Sequence, residues 1–162
     1  MDGGDLSQRL GAEENVARYV GGMHFDPTTG QVNGSAFERT RKDHDGVSVT
    51  RRGIFSNDEA EDRAAIRKVT SSRLKLGKMA VFAELNVGNA LESLAEFEQE
   101  VYFAADPLEA KGEALANPAH ALLIGFPFLG EQVGSLTSEL AGDRLRQCIH
   151  DRFPATMPSA SA

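Results

Sequence analysis

Among its 162 residues the chain has one cysteine, Cys148. A lone thiol cannot close an intrachain disulfide, so a disulfide scaffold is excluded and a reducing compartment is expected. Zinc fingers need cysteine pairs and are excluded on the same ground. The chain also lacks a long apolar run. Nothing approaches the roughly 18 residues that a membrane span requires. The opening Met1-Asp2-Gly3-Gly4-Asp5 is acidic and has none of the apolar core of a secretory signal. A soluble, cytoplasmic protein without membrane contact is the expectation. Basic charge is in short supply as well, with 17 Lys and Arg against 24 Asp and Glu. That balance speaks against a wholly basic nucleic-acid binder, and nucleic acid is not the expected partner. Phosphate-binding glycine loops, the G-x-S-x-G elbow and the H-E-x-x-H zinc helix are all missing. No metal site and no cofactor are expected.

What is present is ordinary globular composition, 41% hydrophobic and 25% charged. The length suits one domain and can bury a core without staples. Strand and helix signals interleave without a βαβ rhythm. This predicts a single α+β domain with a small, mostly antiparallel sheet and about three helices, the last one C-terminal. The expected bounds are a flexible 1–14, a folded 15–153 and a disordered tail at 154–162.

Along the chain, Asp26-Pro27-Thr28-Thr29-Gly30 reads as a turn. Asp45-Gly46 before Val47-Ser48-Val49-Thr50 signals a hairpin whose second strand alternates, with Val47 and Val49 inward. Ser56-Asn57-Asp58-Glu59 has the form of a capping box and starts a helix over 57–69. A strand over 79–87, a helix over 88–99 and a strand at 101–104 follow. His120 to Phe126 is a buried strand, and 131–152 is a last helix ended by Pro154.

Two histidines are candidate proton carriers. In Met23-His24-Phe25-Asp26, an extended backbone would set His24 and Asp26 on one face, where the carboxylate could orient the imidazole. His120 follows Asn117-Pro118-Ala119 at the mouth of a buried strand, where polar groups line clefts. For both, the competing reading is a histidine satisfied by one local hydrogen bond. His44, between Asp43 and Asp45, reads as a solvated turn, and His150 as a partner of the last helix's negative end. Cys148 reads as a half-buried structural thiol.

Charge is unevenly spread. Residues 38–78 hold 11 Lys and Arg against 7 Asp and Glu, and the remainder 6 against 17. Within that segment Arg51 and Arg52 are the candidate ligand-binding residues, because guanidinium groups clamp phosphate. The competing reading is a charged sheet edge that resists aggregation.

The words Val32-x-x-Ser35-Ala36-Phe37, Gly46-Val47-Ser48-Val49-x-Arg51 and Asn117-Pro118-Ala119-His120-Ala121 carry a resemblance. The chain resembles, over roughly residues 20–125, small bacterial proteins with a "SAF … G-[LV]-S-V" core and a late "NPAHA" segment. The resemblance implies a bacterial origin and draws notice to Phe37, Ser48, Arg51 and His120. It implies no activity.

Three functions are expected in descending order. The first is a non-enzymatic accessory module with a protein partner. The second is a small enzyme for a phosphorylated or nucleotide-like substrate, with His24 or His120 moving protons and Arg51 and Arg52 holding phosphate. The third is nucleic-acid binding through residues 39–78. The second requires that His24, Arg51 and His120 share a cleft.

Overall fold

The computed structural model describes residues 8–37, 46–97, 100–125 and 135–157. Its strands are β1 (Asn15–Val20), β2 (Phe25–Asp26), β3 (Gln31–Val32), β4 (Val47–Arg51), β5 (Val81–Asn86), β6 (Tyr102–Ala105), β7 (His120–Ile124) and β8 (Asp151–Pro154). Its helices are α1 (Glu59–Ser71), α2 (Val87–Ser93) and α3 (Ser135–Gln147). Six strands form one sheet in the order β6-β7-β4-β1-β5-β8, with every pairing antiparallel. The fold is α+β, as the interleaved signals predict.

Alternation along the strands divides the sheet into two apolar faces. Val16, Val20, Val47, Val49, Leu85, Phe103 and Leu123 form the larger core, closed by Phe37, Ala90, Ala141 and Leu145 from the 3-10 turn Gly34–Phe37, α2 and α3. The opposite face carries Ala17, Phe82 and Phe153, covered by Ile66 of α1. Each such large side chain, fully buried, contributes about 1.5–3 kcal/mol. Gly46 leads into β4 where a Cβ would lie 2.5 Å from the Leu123 carbonyl oxygen, so only glycine lets β4 approach β7 there. Gly30 ends the expected turn at φ 74°, a left-handed conformation.

Several expectations are corrected. The cap of α1 is Asp58, whose side chain accepts from the Glu61 amide at 2.9 Å. Ser56 Oγ instead accepts from the Asp58 amide and donates to Glu61. The helix expected over 88–99 is the shorter α2, capped by Asn86. β4 pairs with β1 and β7, while Val32 pairs with Phe25 in a separate ribbon. Most of the turn read at 42–46, His44 included, lies outside the described residues.

The last helix stops at Gln147, because the His150 amide turns to the Glu84 carbonyl and the chain re-enters the sheet as β8. His150 is therefore beyond the helix. The folded part also runs past both expected bounds. Arg9 bridges to Ala104, and Ala155 is buried with its amide on the Ala80 carbonyl. No helix among the described residues is long and apolar enough to cross a membrane.

Candidate active site

The ladder between β1 and β4 is short. It pairs Val16 with Arg51 and Ala17 with Thr50, and then stops. Arg18 fills the fork on the α3 side, donating to the carbonyls of Ala36 and Ser48. On the α1 side the fork opens into a cleft of about 370 Å³. Its floor includes Ala17, Tyr19, Ser48, Thr50 and His120, and its walls are Thr70 in the last turn of α1, Arg73 and Leu74 just after it, and Leu108 and Asn117 from the connection between β6 and β7.

Strand register brings chemistry to this floor. Thr50 lies opposite His120 and Ser48 opposite Leu122, so Ser48 is the diagonal neighbour of His120 on one face. Ala105 pairs with Ala121, and the next residue, Asp106, gives its amide to the His120 carbonyl. The three side chains meet across three adjacent strands. Ser48 Oγ is 3.0 Å from His120 Nε2. His120 Nδ1 is 3.1 Å from Asp106 Oδ2 and 3.0 Å from the Asp106 carbonyl oxygen.

The proton positions follow from these neighbours. A carbonyl only accepts, so Nδ1 carries the hydrogen of the neutral ring and Nε2 is left as acceptor. The Ser48 hydroxyl then donates to Nε2. Burial pushes the His120 pKa below its ordinary 6.5, the hydrogen bonds and charge of Asp106 oppose that, and the nearby Arg73 cation adds to the lowering. The ring is therefore neutral at pH 7 and able to accept a proton. Asp106 and His120 are both largely shielded from solvent, with 8% and 12% of their side chains exposed.

The backbone of Ser48 adds a donor. In an extended strand the N–H and C=O of one residue point to the same side. Arg51 gives its amide to Ala119 on the β7 side, and Arg52 gives its amide to Asn15 on the β1 side. By that parity Ser48 faces β1, as its carbonyl bond to Arg18 requires. Its N–H is directed into the fork, beyond the end of the ladder.

The composite site of His24, Arg51 and His120 is not formed. His24 closes the 3-10 turn Gly22–His24, not a strand, and lines a separate opening of about 500 Å³ with Asp26, Asp143 and Arg146 on the α3 side. Asp26 does not need His24, since its Oδ1 accepts from the Thr28 amide at 2.8 Å, which holds its carboxyl below the usual range. Arg51 pairs with Glu14 at 2.9 Å. Arg52 is largely shielded, bonded to Asp62 at 2.7 Å and to Glu84. Both guanidiniums are committed to carboxylates rather than turned to a ligand.

The basic segment is dispersed in the same way. Arg63 pairs with Glu59, Glu84 and Asp151, and Arg67 bonds to the Pro154 carbonyl. Arg39, Arg41 and Lys42 lie outside the described residues. Cys148 is half-buried beside the Asn89 carbonyl. No group of three His, Cys, Asp or Glu among the described residues could hold a metal ion.

Sequence reasoning named His120, noticed Ser48 without giving it a role, and missed Asp106. Ser48 and Asp106 lie 72 and 14 residues from it, and only the strand order unites them. The available signals were Ser48 on the polar phase of an alternating strand and Asp106 at the end of another. The sequence matches no family model, and no curated protein or solved structure is similar to it at a significant level.

Proposed function

We propose that this chain is an enzyme that cleaves an ester or related acyl bond with Ser48 as nucleophile, His120 as general base and Asp106 as the group that orients the imidazole. The observation that carries this reading is the continuous hydrogen-bonded series from Ser48 Oγ through the His120 ring to Asp106, on the floor of a cleft. Nucleophile, base and orienting acceptor at these distances meet the geometric test for an activated serine.

The chemistry runs in two halves. Ser48 Oγ bonds to the carbonyl carbon as its proton passes to Nε2. The carbonyl oxygen takes the electron pair and is met by the Ser48 N–H in the fork. The bond to the leaving group breaks, and Nε2 returns the proton to that group. Water then attacks the acyl-serine by the same route in reverse. Nδ1–H stays on Asp106 throughout and steadies the imidazolium.

The first test is hydrolysis of a p-nitrophenyl ester series by the chain and by Ser48→Ala and His120→Ala. Each variant is expected to lose about 10²–10⁴-fold in rate. Equal rates in all three proteins would remove Ser48 and His120 from any role in turnover.

A protein-binding module is the second reading, and one observation favours it. Met23, Met79 and Met157 are 92%, 54% and 67% exposed. They flank the paired ends Val20, Val81 and Pro154 of β1, β5 and β8. Exposed methionines serve adaptable contact surfaces. Replacing all three by serine should abolish partner capture on this reading and leave ester cleavage untouched on the first.

A further inference from the structure

Arg73 stands at the wall of the cleft that holds Ser48 and His120. Its Nη2 donates to two carbonyls of the β6–β7 connection, Glu109 at 3.0 Å and Leu115 at 2.7 Å. The same connection is tied to α1 by the Leu115 amide on Ser72 Oγ. These bonds fix the guanidinium in position. They leave the N–H groups on Nη1 and Nε without a partner among the described residues, and no carboxylate among those residues pairs with Arg73.

Arg9, Arg51, Arg52, Arg63, Arg144 and Arg146 each hold a carboxylate. Arg67, like Arg73, bonds to a backbone carbonyl instead, but it lies away from the cleft that Arg73 lines. A cation anchored by neutral carbonyls stays open to an outside anion, because no described carboxylate is bonded to it. The rest of the lining is largely apolar, with Tyr19, Leu74, Phe82 and Leu108. Such a cleft suits a short apolar segment that ends in one negative charge.

We propose that Arg73 is an anion subsite of the cleft, so that the substrate class is an ester bearing a carboxylate or phosphate on the acyl side. This rests on the acyl-transfer reading given above and names the substrate feature that the same site selects. The carbonyl under attack sits at Ser48 Oγ, the apolar part of the acyl group lies along Tyr19 and Leu74, and its anionic end meets Nη1 and Nε of Arg73. Arg73 is here a specificity-determining residue. It takes no part in the proton transfers between Ser48 and His120.

The experiment compares p-nitrophenyl butyrate with the mono-p-nitrophenyl ester of succinic acid, which are similar in length and differ in the terminal carboxylate. The quantity read is the ratio of kcat/KM for the anionic ester to that for the neutral one. In the unaltered chain a ratio of about ten or more is expected, the scale of one charge-assisted contact. Arg73→Gln should bring it to about one, and Arg73→Lys should restore part of it. A ratio unchanged in Arg73→Gln, with Ser48-dependent cleavage of both esters, overturns the anion subsite and leaves the acyl-transfer reading standing. If neither ester is cleaved, monomethyl succinate is titrated against the His120 ring signals by NMR. A shift lost in Arg73→Gln supports the subsite while the acyl-transfer reading falls, and no shift at millimolar ligand overturns the subsite too.

Discussion

Ser48 and His120 are diagonal neighbours across the β4–β7 ladder, and their side chains meet at 3.0 Å on the α1 side of the sheet. Both residues sit on central strands rather than on loops. The geometry between Ser48 and His120 is thus set by backbone register, which shifts only if the sheet itself rearranges. The short β1–β4 ladder beside them is where the cleft opens in the sheet.

The His120 ring sets a pH dependence. Its folded pKa lies below 6.5, chiefly through burial. Between the folded and unfolded values the unfolded chain binds more protons, so stability rises with pH there. The contribution is present above about pH 6.5 and is lost as pH falls through the lower, folded value. The denaturant midpoint should therefore drop between pH 7.5 and pH 5, and drop less in His120→Gln. Ester cleavage should rise along the same limb, with its inflection below 6.5. Removing the Arg73 cation in Arg73→Gln should raise the His120 pKa, as read from its ring signals by NMR.

Asp62 should prove the most sensitive polar residue of the fold. It is 1% exposed and accepts from Arg52 Nε and from the amides of Gly53 and Phe55. Asp62→Ala leaves a buried guanidinium short of one carboxylate and two amides unpaired. A loss of about 3–5 kcal/mol is expected in urea denaturation. Because the cluster stands apart from the Ser48 cleft, ester cleavage by whatever remains folded should persist. A loss below about 1 kcal/mol would show that the cluster adds little.

Strand β8 stands where the sequence predicted the end of a helix over 131–152 and the start of a tail at 154. Phe153 stacks on Phe82 with centroids 5.0 Å apart and rings 16° from parallel, and it is 2% exposed. Phe153→Ala should cost about 3–5 kcal/mol by opening a cavity under α1. A near-neutral result would show that the Phe153 side chain adds little to the core under α1.

The legible parts of the fold were those with local signals. The acidic run Asp58-Glu59-x-Glu61-Asp62 marks the start of α1 whichever residue caps it. The alternation of Val47 and Val49 orients β4, and the apolar run after His120 gives β7. β8 gave no such signal, because Phe153 is its single large apolar residue and Ile149 extends the stripe of α3 by coincidence of spacing. The site was half legible. A histidine at a strand mouth reads as a cleft residue, and His120 is one. Its partners depend on β6, β7 and β4 being neighbours in space, which is a non-local property of the sheet. Arg51 and Arg52 looked like phosphate clamps for want of knowledge of Glu14, Asp62 and Glu84, which neutralise them.

The most direct measurement is covalent labelling of the intact chain with a fluorophosphonate ester, followed by intact mass and peptide mapping. The account predicts one adduct, on Ser48, forming faster as pH rises toward neutrality and falling at least about 100-fold in His120→Ala. No adduct on Ser48 at millimolar probe, or an adduct that forms equally fast without His120, would contradict it.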